Sequence, residues 1–158
     1  MDILSEWFYS NFLAISVNKT KLMNFSLRSP AYAPSIVLNG VTLEAVNVYK
    51  YLGFHLDDRL TYTHHVAYVK SRILPYIAML KRLRSLIPES LSLSVYYAYV
   101  HSHLSHMVSV WGFSYEYLME QVQVLQNRAI RFVFWKDYNQ NGLSTEEIYT
   151  LPVPKRRG

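Results

Sequence analysis

The chain has 158 residues, 51% of them apolar, with 14 Tyr and no Cys. That is enough for one domain with a real core, or for two small lobes; it excludes a disordered chain, a disulfide framework and a Cys-based metal site. A net charge of +5 and a pI near 9.4 favour polyanionic partners such as nucleic acid.

No stretch has the roughly 18 uninterrupted apolar residues of a membrane span, and no membrane partner is expected. The acids in the opening MDILSEW do not suit a signal peptide. An intracellular chain, nuclear or cytoplasmic, is the plain expectation.

In chain order, Ile3, Trp7, Phe8, Asn11, Phe12 and Ile15 recur at helical steps, predicting an amphipathic helix that ends near Ser16. Residues 17–21 form a polar turn, and Leu22–Phe25 alternates as a strand. Two prolines among residues 26–34 mark a loop. Asn39-Gly40 between Ser35–Leu38 and Val41–Leu43 is a hairpin signal, because both central residues of a type I′ turn need positive φ. Val46–Leu56 reads as a further strand, with Gly53 marking a bulge or a close backbone approach.

Then comes a long basic helix. Val66, Val69, Ile73, Tyr76, Leu80, Leu83 and Ile87 form one stripe of a 3.6-residue repeat. Lys70, Lys81 and Arg84 share an adjacent face, while Arg72 and Arg82 point elsewhere. Pro75 predicts a kink or a split, and Pro88 a stop. Glu89-Ser90 caps a second helix, with Leu91, Val95, Ala98, Tyr99, Leu104, Val108 and Trp111 on its apolar face up to Gly112. A third helix spans about 115–134, its apolar face built by Leu118, Val122, Leu125, Ala129 and Val133. Arg128 and Arg131 sit on another face. A turn-rich break at 137–142 precedes a last short helix starting at Thr145. The composition shifts from strands to helices near residue 60, predicting an α+β chain: a small antiparallel sheet over residues 1–57, then a bundle of about three helices over 58–158.

Several residue groups invite chemistry. Asp57-Asp58 follows a strand, but a metal-dependent transferase needs a further acid from another strand; acids at a helix start are routine. His101, His103 and His106, with His64 and His65, suggest a metal. Yet His101 and His103 lie about 200° apart on a helix, and no Cys or acid completes a tetrahedron. The basic set Lys70, Lys81, Arg82, Arg84, Arg128 and Arg131 either contacts phosphates or is a solvated helix face. The Tyr96, Tyr97 and Tyr99 cluster either stacks on bases or packs between helices.

The order of motifs resembles the C-terminal part of the reverse transcriptase of non-LTR (LINE-type) retrotransposons. The resemblance rests on Trp7 with Asn11-Phe12-Leu13, Val17-Asn18-Lys19-Thr20-Lys21 and Phe25, then Tyr51-Leu52-Gly53 with Leu60 and His65. It continues through His103-Leu104, Trp111-Gly112 and Leu125-Gln126-Asn127-Arg128-Ala129-Ile130-Arg131. Five short elements keep one order over nearly the whole chain. Tyr62 stands where the family commonly has Trp, and Pro75 is unusual.

The resemblance implies that residues 1–57 are the end of the palm and that 58–158 are thumb and connection. It implies a template–primer duplex, RNA–DNA or RNA, as partner, together with the remainder of the polymerase. Lys19 and Lys21 would reach a primer or nucleotide phosphate, or be exposed turn lysines. The family's catalytic aspartates belong upstream of Trp7, so the chain is expected to be a truncated piece that does not polymerise by itself. No cofactor is expected in this fragment; Mg is implied for the intact parent. The alternative expectation is a non-enzymatic helical interaction module, or an inert transposon relic.

Overall fold

The computed structural model describes residues 2–26, 35–38 and 40–135. The turn at 137–142 and the last helix expected from Thr145 lie outside them. The chain divides into two compact units, Met1–His64 and His65–Gly158.

In the first unit, α1 spans Asp2–Ser10, six residues shorter than the helix expected to Ser16. Phe12 has a φ of 56°, and this left-handed residue cannot continue a helix. The Trp7 carbonyl accepts both the backbone N–H of Asn11 at 3.2 Å and its side-chain amide at 2.8 Å, so Asn11 closes the last turn twice over. Ile3, Trp7, Tyr9 and Phe12 remain exposed, Phe12 almost completely at 99%.

Among the described residues six short strands follow, in three separate pairs. β1 (Lys21–Leu22) pairs in parallel with β4 (Glu44–Ala45). β2 (Val37–Leu38) pairs antiparallel with β3 (Val41–Thr42), with Leu38 opposite Val41 and Gly40 at φ 76°. This is the hairpin that Asn39-Gly40 signals. β5 (Val48–Tyr51) pairs antiparallel with β6 (Phe54–Asp57).

The last pair corrects the reading of Val46–Leu56 as one strand. Leu52 and Gly53 have φ of 48° and 83°, the positive pair that a two-residue type I′ turn requires. Gly53 is therefore a turn residue and not a bulge. β6 delivers the buried Asp57 into a loop in which Leu60 and Tyr62 also have positive φ, 53° and 59°. The Asp57 carboxylate holds that loop. Oδ1 accepts the backbone N–H of Thr61 at 2.9 Å and of Arg59 at 3.3 Å, and Oδ2 accepts that of Tyr62 at 2.8 Å.

The described residues of the second unit form an up-down-up arrangement of three helical rods. α2 (Thr63–Leu83) runs unbroken through Pro75, so the expected split does not occur. The proline deprives only the Ser71 carbonyl of its intrahelical donor, and Ser71 and Pro75 are both exposed, where water can serve that carbonyl. The buried stripe is His65, Val66, Val69, Ile73, Ile77 and Leu80. Ile77 rather than Tyr76 completes it.

The second rod is α3 (Glu89–Val95), a π-helical stretch Tyr96–His101 and α4 (Ser102–Ser105). Pro88 takes the N-cap position and no side chain caps the helix, so the Glu89-Ser90 cap is not formed. Met107, at φ 52°, breaks the rod before the short α5 (Val108–Trp111). The expected apolar face is kept in part: Leu104 and Trp111 are buried, but Leu91, Tyr99 and Val108 are exposed, and the buried residues of the rod are Ser92, Tyr96, Val100 and Leu104. These recur every fourth residue. In an α-helix each such step drifts by about 40°; the wider π turn absorbs that drift and keeps the four in line. Trp111 is buried, and its indole N–H donates to the His106 carbonyl at 2.9 Å.

The third rod, α6 (Glu116–Val133), buries Leu118, Val122, Leu125, Ala129 and Val133, the predicted face, and also Ile130. Tyr96 accepts a hydrogen bond from the Gln126 amide at 3.2 Å. The register between rods follows from side-chain pairs. His65 meets Trp111 and Tyr76 meets Tyr99, so α2 runs antiparallel to the second rod. Lys70 meets Gln121 and Arg84 meets Trp135, so α2 runs parallel to α6.

Candidate nucleic-acid interface

The α2–α6 seam collects most of the cations singled out from the sequence. Lys70, Lys81 and Arg84 share one side of α2 because steps of 11 and 3 residues return close to the same angle on a 3.6-residue helix. That side faces α6. Lys70 Nζ donates to Gln121 Oε1 at 2.5 Å. Arg84 lies flat over Trp135, its guanidinium carbon 3.6 Å from the ring centroid and 5.9 Å from that of Phe132. Lys81 and Arg128, from different helices, line one open groove of about 400 Å³ with Leu74, Ile77, Ala78 and Phe132. Arg131, exposed, stands one turn beyond Arg128 on α6. Arg82 is exposed on another side of α2.

The predicted set is therefore not uniform. Lys81 and Arg128 converge on a groove with an apolar floor, which suits phosphates above and sugars or bases below. Lys70 and Arg84 already have protein partners. Their charge remains, but a phosphate would have to compete with Gln121 or with the Trp135 ring.

Lys19 and Lys21 belong to the other unit. Lys19 closes a 3₁₀ turn, Val17–Lys19, and is exposed. Lys21 forms an ion pair with Glu44, the residue opposite it in the β1–β4 register. That carboxylate offsets the charge Lys21 would offer a phosphate, so Lys21 is in the first place a strand-pairing residue.

The acids and histidines resolve differently from a metal site. The Asp57 carboxylate is committed to three backbone N–H groups, which does not fit a divalent ion needing the same lone pairs. Among the described residues no three His, Cys, Asp or Glu gather as a metal would require. No step through Mg is derived for this chain. His65 is buried with its ring 5.5 Å from that of Trp111 at 66°, a core packing contact. His101 and His106 are exposed. His103 is held below the usual histidine pKa by burial, then by the positive charge of Arg72, then by His106. His55, in the first unit, is lowered by burial, Lys50 and His64.

A second cluster escaped the sequence reading. Tyr76 and Tyr99 stack across the first two rods with centroids 4.6 Å apart and planes at 18°. Arg72, one turn before Tyr76, lies over the Tyr68 ring at 5.8 Å. The antiparallel register places His103 against Arg72. The signal in the sequence was the constant sum of paired positions, but it is usable only once one pair is known.

The chain is 32% identical over 138 residues to a probable RNA-directed DNA polymerase from transposon BS of Drosophila melanogaster, covering 84% of this chain and 15% of that protein. It is 28% identical over 134 residues to a probable RNA-directed DNA polymerase from transposon X-element of the same fly, covering 82% and 14%. It is 22% identical over 158 residues to the RNA-directed DNA polymerase from mobile element jockey of that fly, covering 98% and 17%. The chain thus spans well under a fifth of the length of these relatives. No family model matches the chain, and no solved structure matches it.

Proposed function

Since this chain is a segment of a non-LTR retrotransposon reverse transcriptase, we propose that its helical unit is the thumb-type element that grips a template–primer duplex, with residues of the first unit closing the palm. One observation carries the reading: Lys81 of α2 and Arg128 of α6 converge on a single groove floored by Leu74, Ala78 and Phe132. Arg131 extends the cationic line along α6, and Arg82 lies on a flank. The grip acts on the sugar–phosphate backbone and reads no sequence.

The segment contributes binding and not nucleotidyl transfer, because Asp57, the one buried acid among the described residues, is spent on the backbone of its own loop. The Mg-dependent chemistry belongs to the palm of the longer polymerase. That remainder is also the partner for the apolar side chains α1 exposes. Fluorescence anisotropy of the 158-residue chain with an RNA–DNA hybrid duplex tests the reading. Binding should weaken steeply with salt, and absent or salt-insensitive binding refutes it.

A further inference from the structure

A second face of the helical unit points away from the α6 seam. Arg72 is two residues from Lys70, about 200° around α2, and looks toward the second rod. Three rungs cross from α2: the ring contacts of His65 with Trp111 of α5 and of Tyr76 with Tyr99 of the second rod, and Arg72, which the antiparallel register sets opposite His103, near enough for its charge to act on that imidazole. The first rung is buried; the other two reach the surface, with Arg72 and Tyr99 exposed and Tyr76 and His103 half-buried.

Charge narrows the partner. Between Arg59 and Tyr115 the sequence holds one acid, Glu89, against Arg59, Lys70, Arg72, Lys81, Arg82 and Arg84, with five histidines besides. No carboxylate lies on either rod within two turns of the Arg72 and Tyr76 rungs. A surface of this kind repels cations and attracts polyanions. It combines an aromatic stack, open on its Tyr99 side, with a guanidinium and an imidazole spaced about one helical turn away. Single-stranded nucleic acid uses these two features together: bases extend an aromatic stack while the backbone follows cations. A duplex keeps its base faces covered and cannot use the stack.

We infer that the face formed by Arg72, Tyr76, Tyr99 and His103 binds single-stranded RNA, with a base continuing the Tyr76–Tyr99 stack and a neighbouring phosphate lying between Arg72 and His103. It shares with the groove reading only the class of partner. Lys81 and Arg128 take no part in it, so either site can fail alone. The phosphate would neutralise Arg72 beside His103 and make protonation of that imidazole easier. The charged and titratable groups facing His103 are Arg72 from α2 and His106 from its own rod.

The test uses the full chain and a twelve-nucleotide single-stranded RNA carrying 2-aminopurine. The expected result is quenching on binding, at least a fivefold affinity loss in Tyr99→Leu, near-normal binding in Tyr99→Phe, and a salt slope lower by about 0.7 in Arg72→Gln. Lys81→Gln/Arg128→Gln should keep the 2-aminopurine quenching at saturation, which reports the aromatic stack alone. Titration of the unmodified protein provides a readout that needs no variant: the His103 ring protons should shift and their midpoint should rise when the RNA is added. An unmoved His103, or equal binding by the parent, Arg72→Gln and Tyr99→Leu, overturns the inference. So does a preference for the duplex of the same sequence that is lost in the same variants.

Discussion

The carboxylate of Asp57 and the backbone N–H of Tyr62 meet at 2.8 Å, and through that bond a strand end fixes the loop that leads to α2. Tyr62 and Leu60 both sit in left-handed conformations, which cost L-residues about 1–2 kcal/mol each. The three N–H groups gathered by Asp57 offset that cost.

Asp57→Ala should therefore destabilise the chain by about 2–4 kcal/mol, since it takes the acceptor from three part-buried hydrogen bonds and releases the loop. Asp57→Asn, which keeps one acceptor oxygen, should cost roughly half as much. Urea unfolding of the two variants checks the order. A loss below about 0.5 kcal/mol for the alanine variant would contradict the assigned role.

A second expectation concerns the β5–β6 turn. Leu52 occupies a position with a φ of 48°, where Asn is far better tolerated. Leu52→Asn should raise stability by about 0.5–1 kcal/mol and leave nucleic-acid binding unchanged, because Leu52 is exposed and distant in sequence from the helical unit. Paired urea curves decide it.

That leucine also shows where the sequence was hard to read. The hairpin at Asn39-Gly40 was legible because its turn residues carry their own signal. The Leu52-Gly53 turn was not, since Leu is an unfavourable residue there, and Val46–Leu56 looked continuous. The buried face of α6 was read correctly from strict three- and four-residue steps. The face of the second rod was read only in part because the π stretch from Tyr96 to His101 changes the local period. Of the binding residues, the shared side of Lys70, Lys81 and Arg84 follows from angle alone. That this side faces α6, engaging Lys70 and Arg84 with Gln121 and Trp135, depends on tertiary register and could not be read beforehand.

The pH dependence follows from His55 and His103. Both have pKa values lowered from the ordinary histidine value of about 6.5 by burial and neighbouring positive charge. The unfolded chain takes up these protons first as pH falls. Stability should thus be full above about pH 6.5 and decline as the pH drops below it toward the lower folded values. Removing the opposing charge in Arg72→Gln should raise the His103 midpoint toward 6.5 and leave His55 where it is. NMR titration of the ring protons reads both sites at once, and an unchanged His103 would contradict the assigned neighbour.

The most direct measurement is the salt dependence of hybrid-duplex binding, by anisotropy, for the parent chain and for Lys81→Gln/Arg128→Gln. If the α2–α6 groove grips the backbone, the parent shows a steep log–log slope and the double variant a slope smaller by about two, one for each lost phosphate contact. Equal slopes and equal affinities in the two proteins would contradict the groove as the site of grip.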